Sequence, residues 1–324
     1  MPLVFMFPGQ SSADPQMVVR ALGHGAAAHD VARRATATLG PAVASRYLDP
    51  AGMPLVTNRD VQLGVFLATQ MHLAQLAAHG IDADISLGLS LGEYSHLVHI
   101  GALSFEEALR LVDLRGAAYD TSPPGIMVTV LAAARDEVEQ VIAAARPRGL
   151  VVISNFNTPT QHVIAGEPAA VTWAAERLEE DFAAHTVVIE QRVPMHTPLL
   201  TGVAEQFRPA LDRAAWIEDR SPAHAARVYW PNVSATPLHR PTRSDFIGQL
   251  AAHVTSPVLW RASVESVAAN NPAATFVEVG PGGVLSNRLS RRWLTGPPAR
   301  TAAPAGSAAA TALTASLESL RAAC

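Results

Sequence analysis

Between residues 124 and 191 the chain alternates in a way that few folds can satisfy. After Pro123-Pro124, apolar and β-branched runs at 126–132, 150–156, 160–165 and 185–190 are separated by helical patterns at 135–145 and 167–181. The resulting order, β-α-β-β-α-β, is the ferredoxin-like supersecondary signature. The flanking sequence reads differently. Leu3 to Phe7 is a short buried strand stopped by Pro8-Gly9. Leu63, Phe66, Leu67 and Met71 then recur at helical spacing within 61–79, with Leu73 and Leu76 widening the stripe. Residues 85–87 form a second strand, and Ser104 with Glu107 opens a helix to about Tyr119 as a capping box. Beyond residue 191 the pattern predicts helices at 199–213, 244–253 and 260–269, strands near 227–233 and at 275–279, and a last helix after Gly280-Pro281-Gly282-Gly283. Residues 295–310, rich in Ala, Pro, Thr and Gly, read as a linker, and 313–322 as a terminal helix. The expectation is an α/β fold in two parts. A large α/β-hydrolase-like domain with a parallel sheet is built from 1–123 and 192–324, and a ferredoxin-like subdomain, 124–191, is inserted into it.

Composition narrows the chemistry. In 324 residues there is no lysine, so all 24 basic residues are arginines. Schiff-base catalysis, a phosphate loop with its G-K-[S/T] and an S-x-x-K nucleophile pair are therefore excluded. The formal net charge is −4 with no basic run, which argues against a nucleic-acid partner. The single cysteine, Cys324, leaves no internal disulfide and no thiolate metal site, and a cytoplasmic location is the simplest expectation. The apolar start, MPLVFMFPGQ, lacks the basic region of a signal peptide, and no apolar stretch reaches the roughly 20 residues of a membrane span.

One bend carries the chemistry. Gly88-Leu89-Ser90-Leu91-Gly92 joins a predicted strand to a predicted helix, and G-x-S-x-G in that setting exposes a serine oxygen on a strained turn at a helix N-terminus. The helix dipole there favours developing negative charge. A serine needs a base within hydrogen-bond reach. Among 12 histidines the best candidate is His196, which Pro194 and Pro198 bracket just after the last predicted strand of the inserted unit. His96, His99, His162, His185 and His253 lie in or beside predicted elements, but none shows the H-E-x-x-H spacing of a zinc helix, so no metal is expected.

The segments Phe7-Pro8-Gly9-Gln10, Gly88-Leu89-Ser90-Leu91-Gly92-Glu93, Leu114-Arg115-Gly116, Asn157-Thr158-Pro159-Thr160-Gln161, Val163-Ile164-Ala165-Gly166 and Met195-His196-Thr197-Pro198 occur in that order. Ser256-Pro257-Val258-Leu259-Trp260 and Val277-Glu278-Val279-Gly280-Pro281-Gly282 follow. Over nearly its whole length the chain resembles the malonyl-CoA:acyl carrier protein transacylases and the acyltransferase units of polyketide synthases.

The resemblance implies a ping-pong acyl transfer from coenzyme A to the phosphopantetheine thiol of an acyl carrier protein, in polyketide or fatty-acid biosynthesis, with no cofactor bound to the enzyme. Ser90 is the implied nucleophile and His196 its general base and acid, oriented by a main-chain carbonyl rather than a carboxylate. The backbone N–H groups of Gln10 and Leu91 are the implied oxyanion hole. Each such donor is worth about 3 kcal/mol. Arg115, 115 − 90 = 25 residues after the nucleophile, is where the resemblance implies bidentate binding of a malonyl-type carboxylate.

Departures from the family pattern gather at the implied acyl pocket. Leu89 stands where many members have histidine, Met195 where phenylalanine or serine is common, Ser11 where glycine follows the glutamine, and His253 where glutamine is usual. Met195 and Leu89 motivate an alternative, transfer of a non-malonyl acyl group, even between two carrier proteins. Further alternatives are an acyl-thioester hydrolase of the same fold and a carrier-docking scaffold without turnover. Asn157 and His253 are placed with Leu89 and Met195 around the pocket. Because a carrier's docking helix is acidic, Arg192, Arg261, Arg288, Arg291 and Arg292 are expected on the rim of the cleft.

Overall fold

A computed structural model of the chain describes residues 2–49, 51–289 and 300–301. The terminal helix expected at 313–322, Cys324, Arg291, Arg292 and the side chain of Arg288 lie outside the described residues.

The chain opens with β1 (Leu3–Phe7) and a 3-10 turn at Gln10–Ser12. A helical layer follows, α1 (Met17–Leu22), α2 (Ala26–Leu39), α3 (Ala42–Tyr47) and α4 (Asn58–Ala78). Next come β2 (Ile85–Gly88), α5 (Gly92–His99) and α6 (Phe105–Tyr119). The middle of the chain gives β3 (Ile126–Leu131), α7 (Arg135–Ala145), β4 (Val151–Thr158), β5 (Gln161–Gly166), α8 (Pro168–Phe182) and β6 (His185–Glu190). The last stretch holds α9 (Thr201–Arg213), α10 (Arg243–Thr255), α11 (Trp260–Asn270), β7 (Thr275–Glu278), α12 (Val284–Leu289) and β8 (Arg300–Thr301).

Every residue of β1 is buried, as a strand covered on both faces requires. It runs between β2 and β7 in a parallel sheet ordered β2-β1-β7-β8. The register of β1 on β2 pairs Phe7 with Gly88, so both strands end at the same level. Whatever follows Phe7 therefore meets whatever follows Gly88, and those segments carry Gln10 and Ser90. A crevice beyond the carboxyl ends of parallel strands is the usual ligand site of such sheets. The rest of the fold delivers the remaining residues to it.

A second sheet, ordered β4-β5-β3-β6, is antiparallel throughout. Alternation along its strands divides their side chains between two cores. Val128, Val130, Ile153 and Ile164 pack with Val138, Val141, Val171 and Leu178 of α7 and α8. Met127, Val163 and Ala165 point the other way and join the main core. The sheet thus presents one face to its own helices and the other to the larger body.

Some sequence expectations need correction. Residues 227–233 do not form a strand: Tyr229 pairs only with Leu238, because Pro231 has no N–H to extend the ladder. Of the expected linker, 300–301 are described and pair with Val277 and Glu278 as β8. The capping box of α6 is half made. Ser104 accepts the Glu107 N–H at 3.1 Å, but the Glu107 carboxylate turns to Arg110 and to the Ala215 N–H. Among the described residues no helix is long and apolar enough to cross a membrane.

Candidate active site

The bend after β2 is forced by close backbone approach. A Cβ at Gly88 would lie 2.2 Å from Gly92 C, and one at Gly92 would lie 2.1 Å from Phe7 O, so only glycine fits either place. Between them Ser90 adopts φ 52°, a left-handed conformation unusual for a residue with a Cβ. The strain lifts its side chain out of the turn at the start of α5.

The Ser90 Oγ lies 2.8 Å from His196 Nε2. His196 Nδ1 lies 2.8 Å from the backbone oxygen of His253, so Nδ1 carries the proton and donates, leaving Nε2 free to accept from the serine. The imidazole is oriented by a main-chain carbonyl on α10. Burial holds its pKa down at about 3, with the charge of Arg115 adding to the effect and the His253 carbonyl opposing it. A neutral, basic imidazole stands next to the hydroxyl.

His253 also acts through its ring, which stacks on His196 with centroids 4.7 Å apart. Its Nδ1 lies 3.0 Å from Glu93 Oε2, out of line for a hydrogen bond. Glu93 is fully enclosed, and burial pushes its carboxyl up to about 7, against the Tyr229 hydroxyl that donates to it at 2.6 Å. Burial drives the His253 pKa well below its ordinary value.

A cleft of about 190 Å³ opens over Ser90 and His196. Gln10, Leu89, Met195 and Asn157 line it, as does Ser11. The Asn157 Oδ1 is buried without a hydrogen-bond partner. Neither the Gln10 nor the Leu91 backbone N–H donates to an acceptor among the described residues, so two donors are uncommitted beside the serine. Arg115 is 1% exposed on α6 but does not line the cleft. Its Nη1 donates to Gln62 Oε1 at 2.6 Å and its Nη2 to the Tyr119 hydroxyl at 3.1 Å. Among the described residues no carboxylate pairs with it. Of the rim arginines, Arg192 is close to the cleft, contacting the Val56 carbonyl and lying 3.6 Å from Glu190, a lining residue. Arg261 is paired with Glu265 along α11.

Sequence reasoning missed Asn232, whose Oδ1 accepts the Ser90 N–H at 2.7 Å. A lone amide between Pro231 and Val233, inside a stretch read as an apolar strand, was the available signal. It quoted Glu93 only as the end of the serine motif, with no role, and it missed Tyr229.

The acyl transferase domain pattern matches residues 4–314. The chain belongs to the acyl transferase domain family. A malonyl CoA-acyl carrier protein transacylase of Bacillus subtilis (strain 168) is 31% identical over 293 residues, covering 89% of this chain and 90% of that protein. One from Escherichia coli O157:H7 is 29% identical over 292 residues, covering 89% and 91%. The crystal structure of a malonyl CoA-acyl carrier protein transacylase from Clostridium perfringens ATCC 13124 matches with a TM-score of 0.84 at 27% identity, over 99% of this chain and 98% of that one.

Proposed function

We propose that this acyl transferase moves a malonyl-type group from coenzyme A to the phosphopantetheine thiol of an acyl carrier protein, through an ester on Ser90. The observation that carries the reading is the Ser90–His196 pair, with Nδ1 held by the His253 carbonyl and the open cleft above it. In the first half-reaction the Ser90 Oγ attacks the thioester carbonyl while His196 Nε2 takes its proton. The Gln10 and Leu91 N–H groups hold the oxyanion. Collapse breaks the C–S bond, and the proton on Nε2 passes to the departing thiol. The second half-reaction reverses these steps with the carrier's thiol as attacking group. No cofactor has a part in these steps.

Arg115 is the proposed partner of the malonyl carboxylate. Its buried guanidinium has no carboxylate of its own, and its charge is one cause of the low basicity of His196. A bound carboxylate offsets that charge, so docking the correct substrate strengthens the base.

The domain reading belongs to the same proposal. We take 124–191 as a ferredoxin-like subdomain inserted into a hydrolase-like domain formed by 1–123 and 192–324. The strand order β4-β5-β3-β6, with α7 and α8 on one face, supports it. A cytoplasmic setting accords with a chain whose one cysteine is its last residue.

A second reading, transfer of an apolar acyl group, is favoured by one observation. Val61, Leu89, Met127, Val163 and Met195 line the cleft while Arg115 does not. Isotope exchange between labelled coenzyme A and unlabelled acyl-CoAs, with no carrier present, tests both. Exchange with malonyl-CoA, lost in Ser90→Ala, is the expected result. Exchange with acetyl- or butyryl-CoA but not malonyl-CoA would establish the second reading. No exchange with any of them would sink the coenzyme A half-reaction.

A further inference from the structure

Asn232 comes from a segment with no regular secondary structure, yet its amide is 4% exposed and used on both sides. Oδ1 accepts the Ser90 N–H at 2.7 Å, and Nδ2 donates to the Gly88 carbonyl at 2.7 Å. Its backbone N–H reaches Glu93 Oε1 at 3.4 Å, and its backbone carbonyl accepts from Leu259 at 2.8 Å. One side chain therefore grips the elbow on each side of Leu89, across the turn in which Ser90 is held at φ 52°.

The segment that carries Asn232 is itself tied down. The Trp230 N–H donates to His96 Nε2 at 3.0 Å, so His96 Nδ1 holds the proton and donates to Ser86 Oγ at 2.7 Å. Ser86 then donates to His99 Nδ1 at 2.9 Å, and His99 Nε2 to Asp82 Oδ1 at 3.0 Å. Every proton in this chain has one direction that satisfies all members. Arg227 closes it by contacting both Asp82 and the His99 carbonyl. Ser86 is 1% and His99 4% exposed, so this serine and histidine have no access to a substrate, and with the surface carboxylate of Asp82 they serve as an anchor. On the other side Leu259 donates to the Asn232 carbonyl, and its neighbour Val258 bonds to Ser154 and Phe156 of β4, whose Asn155 and Asn157 form the opposite wall of the cleft.

We propose that Asn232 is a positioning residue. It holds the nucleophile's left-handed backbone and fixes its distance to His196 and to the far wall. The role needs one acceptor and one donor at the same time, which an amide has and a carboxylate lacks. The inference rests on reading Ser90 as the nucleophile.

The test uses the full-length enzyme and a serine-directed fluorophosphonate. Ser90 Oγ forms a bond to phosphorus, the P–F bond breaks, fluoride leaves and the proton passes to His196. The reaction needs neither coenzyme A nor carrier. Asn232→Ala is expected to slow labelling by about 100-fold, the scale of an ångström-sized misplacement. Asn232→Asp separates positioning from packing, since its neutral acid restores both a C=O acceptor and an O–H donor whereas its carboxylate faces the Gly88 oxygen. The titratable groups that meet this segment are Glu93, which accepts from the Asn232 N–H, and His96, which accepts from the Trp230 N–H; Glu93 in turn faces His253 and feels the charge of Arg115, and all four are present in the variant and the wild type alike. The labelling rate of Asn232→Asp relative to wild type should climb as pH falls from 8 to 5.

A ratio flat with pH would overturn the donor–acceptor role, as would a folded Asn232→Ala labelled at the wild-type rate. Should Asn232→Ala fail to fold, the Asp variant decides. A wild type that takes the probe but no malonyl group from malonyl-CoA contradicts the proposed function and leaves the role of Asn232 standing.

Discussion

Ser90 and His196, joined by a 2.8 Å hydrogen bond, both sit at positive φ, 52° and 61°. Left-handed backbone in residues with a Cβ costs of order 1–3 kcal/mol each and persists where the surroundings enforce it. Each is held in that state by buried contacts, so the geometry of the proposed nucleophile and base is fixed before substrate arrives.

The buried, neutral state of His196 has a kinetic consequence. With its pKa held down at about 3, the imidazole is already a free base throughout the neutral range. Acylation, followed as kcat/KM for malonyl-CoA, should show no inflection near pH 6.5 and should hold its rate down to about pH 5. His196→Ala should lower kcat by about 100- to 10,000-fold, the range of a lost general base. A half-maximal rate near pH 6.5 would contradict the assignment.

Stability should follow the same residues. Burial lowers the pKa of His72 and His196 to about 3, and of His96 and His253 well below the ordinary value. Each binds a proton in the unfolded chain near pH 6.5 but not in the folded one, so stability is lost as pH falls below about 6.5. The slope is about 1.4 kcal/mol per pH unit per proton. Glu93 acts oppositely, because its raised pKa lets the folded state bind a proton between about 7 and 4.5. The net expectation is a melting temperature that drops from pH 7 to pH 5, read by calorimetry, with a shallower drop in His72→Gln.

Arg115→Lys keeps the charge but loses the planar fork that matches a carboxylate. It should cut kcat/KM for malonyl-CoA by about 100-fold, the scale of a truncated buried charge pair. Acetyl-CoA should be used no worse than by wild type. Equal losses with both donors would mean that Arg115 acts through the core it shares with Gln62 and Tyr119 rather than through substrate.

Arg192 is half-exposed beside the cleft, held near Glu190 and the Val56 carbonyl. Charge reversal, Arg192→Glu, should raise the KM for carrier protein several-fold and leave acylation by malonyl-CoA unchanged, since rim charges act mainly on encounter with a charged partner. Steady-state kinetics of the two half-reactions, measured separately, check it. Loss in both would remove Arg192 from the docking rim.

What the sequence made legible was local. Strand β1, the G-x-S-x-G bend and the elements of the β4-β5-β3-β6 sheet follow from patterns a few residues long, and they appear within a residue or two of their expected bounds. His196 was found by its prolines and by resemblance. Asn232 and Tyr229 were not, because they meet Ser90 and Glu93 across 142 and 136 residues of chain, and nothing in their own neighbourhood records the partner. Residues 227–233 look like a strand by side chain, but Pro231 and the pull of Glu93 and His96 hold them as an anchored loop. The uncommitted N–H groups of Gln10 and Leu91 were likewise invisible to composition, since they depend on β1 and β2 ending at the same register.

Every step proposed above passes through a malonyl ester on Ser90 that moves to a carrier. Intact-protein mass spectrometry of the wild type and Ser90→Ala, after brief exposure to malonyl-CoA and then to a holo acyl carrier protein, tests it directly. One malonyl adduct is expected on the wild type alone, disappearing as the same mass appears on the carrier. An adduct that persists in Ser90→Ala, or one that leaves the wild type as free malonate with none on the carrier, would contradict it.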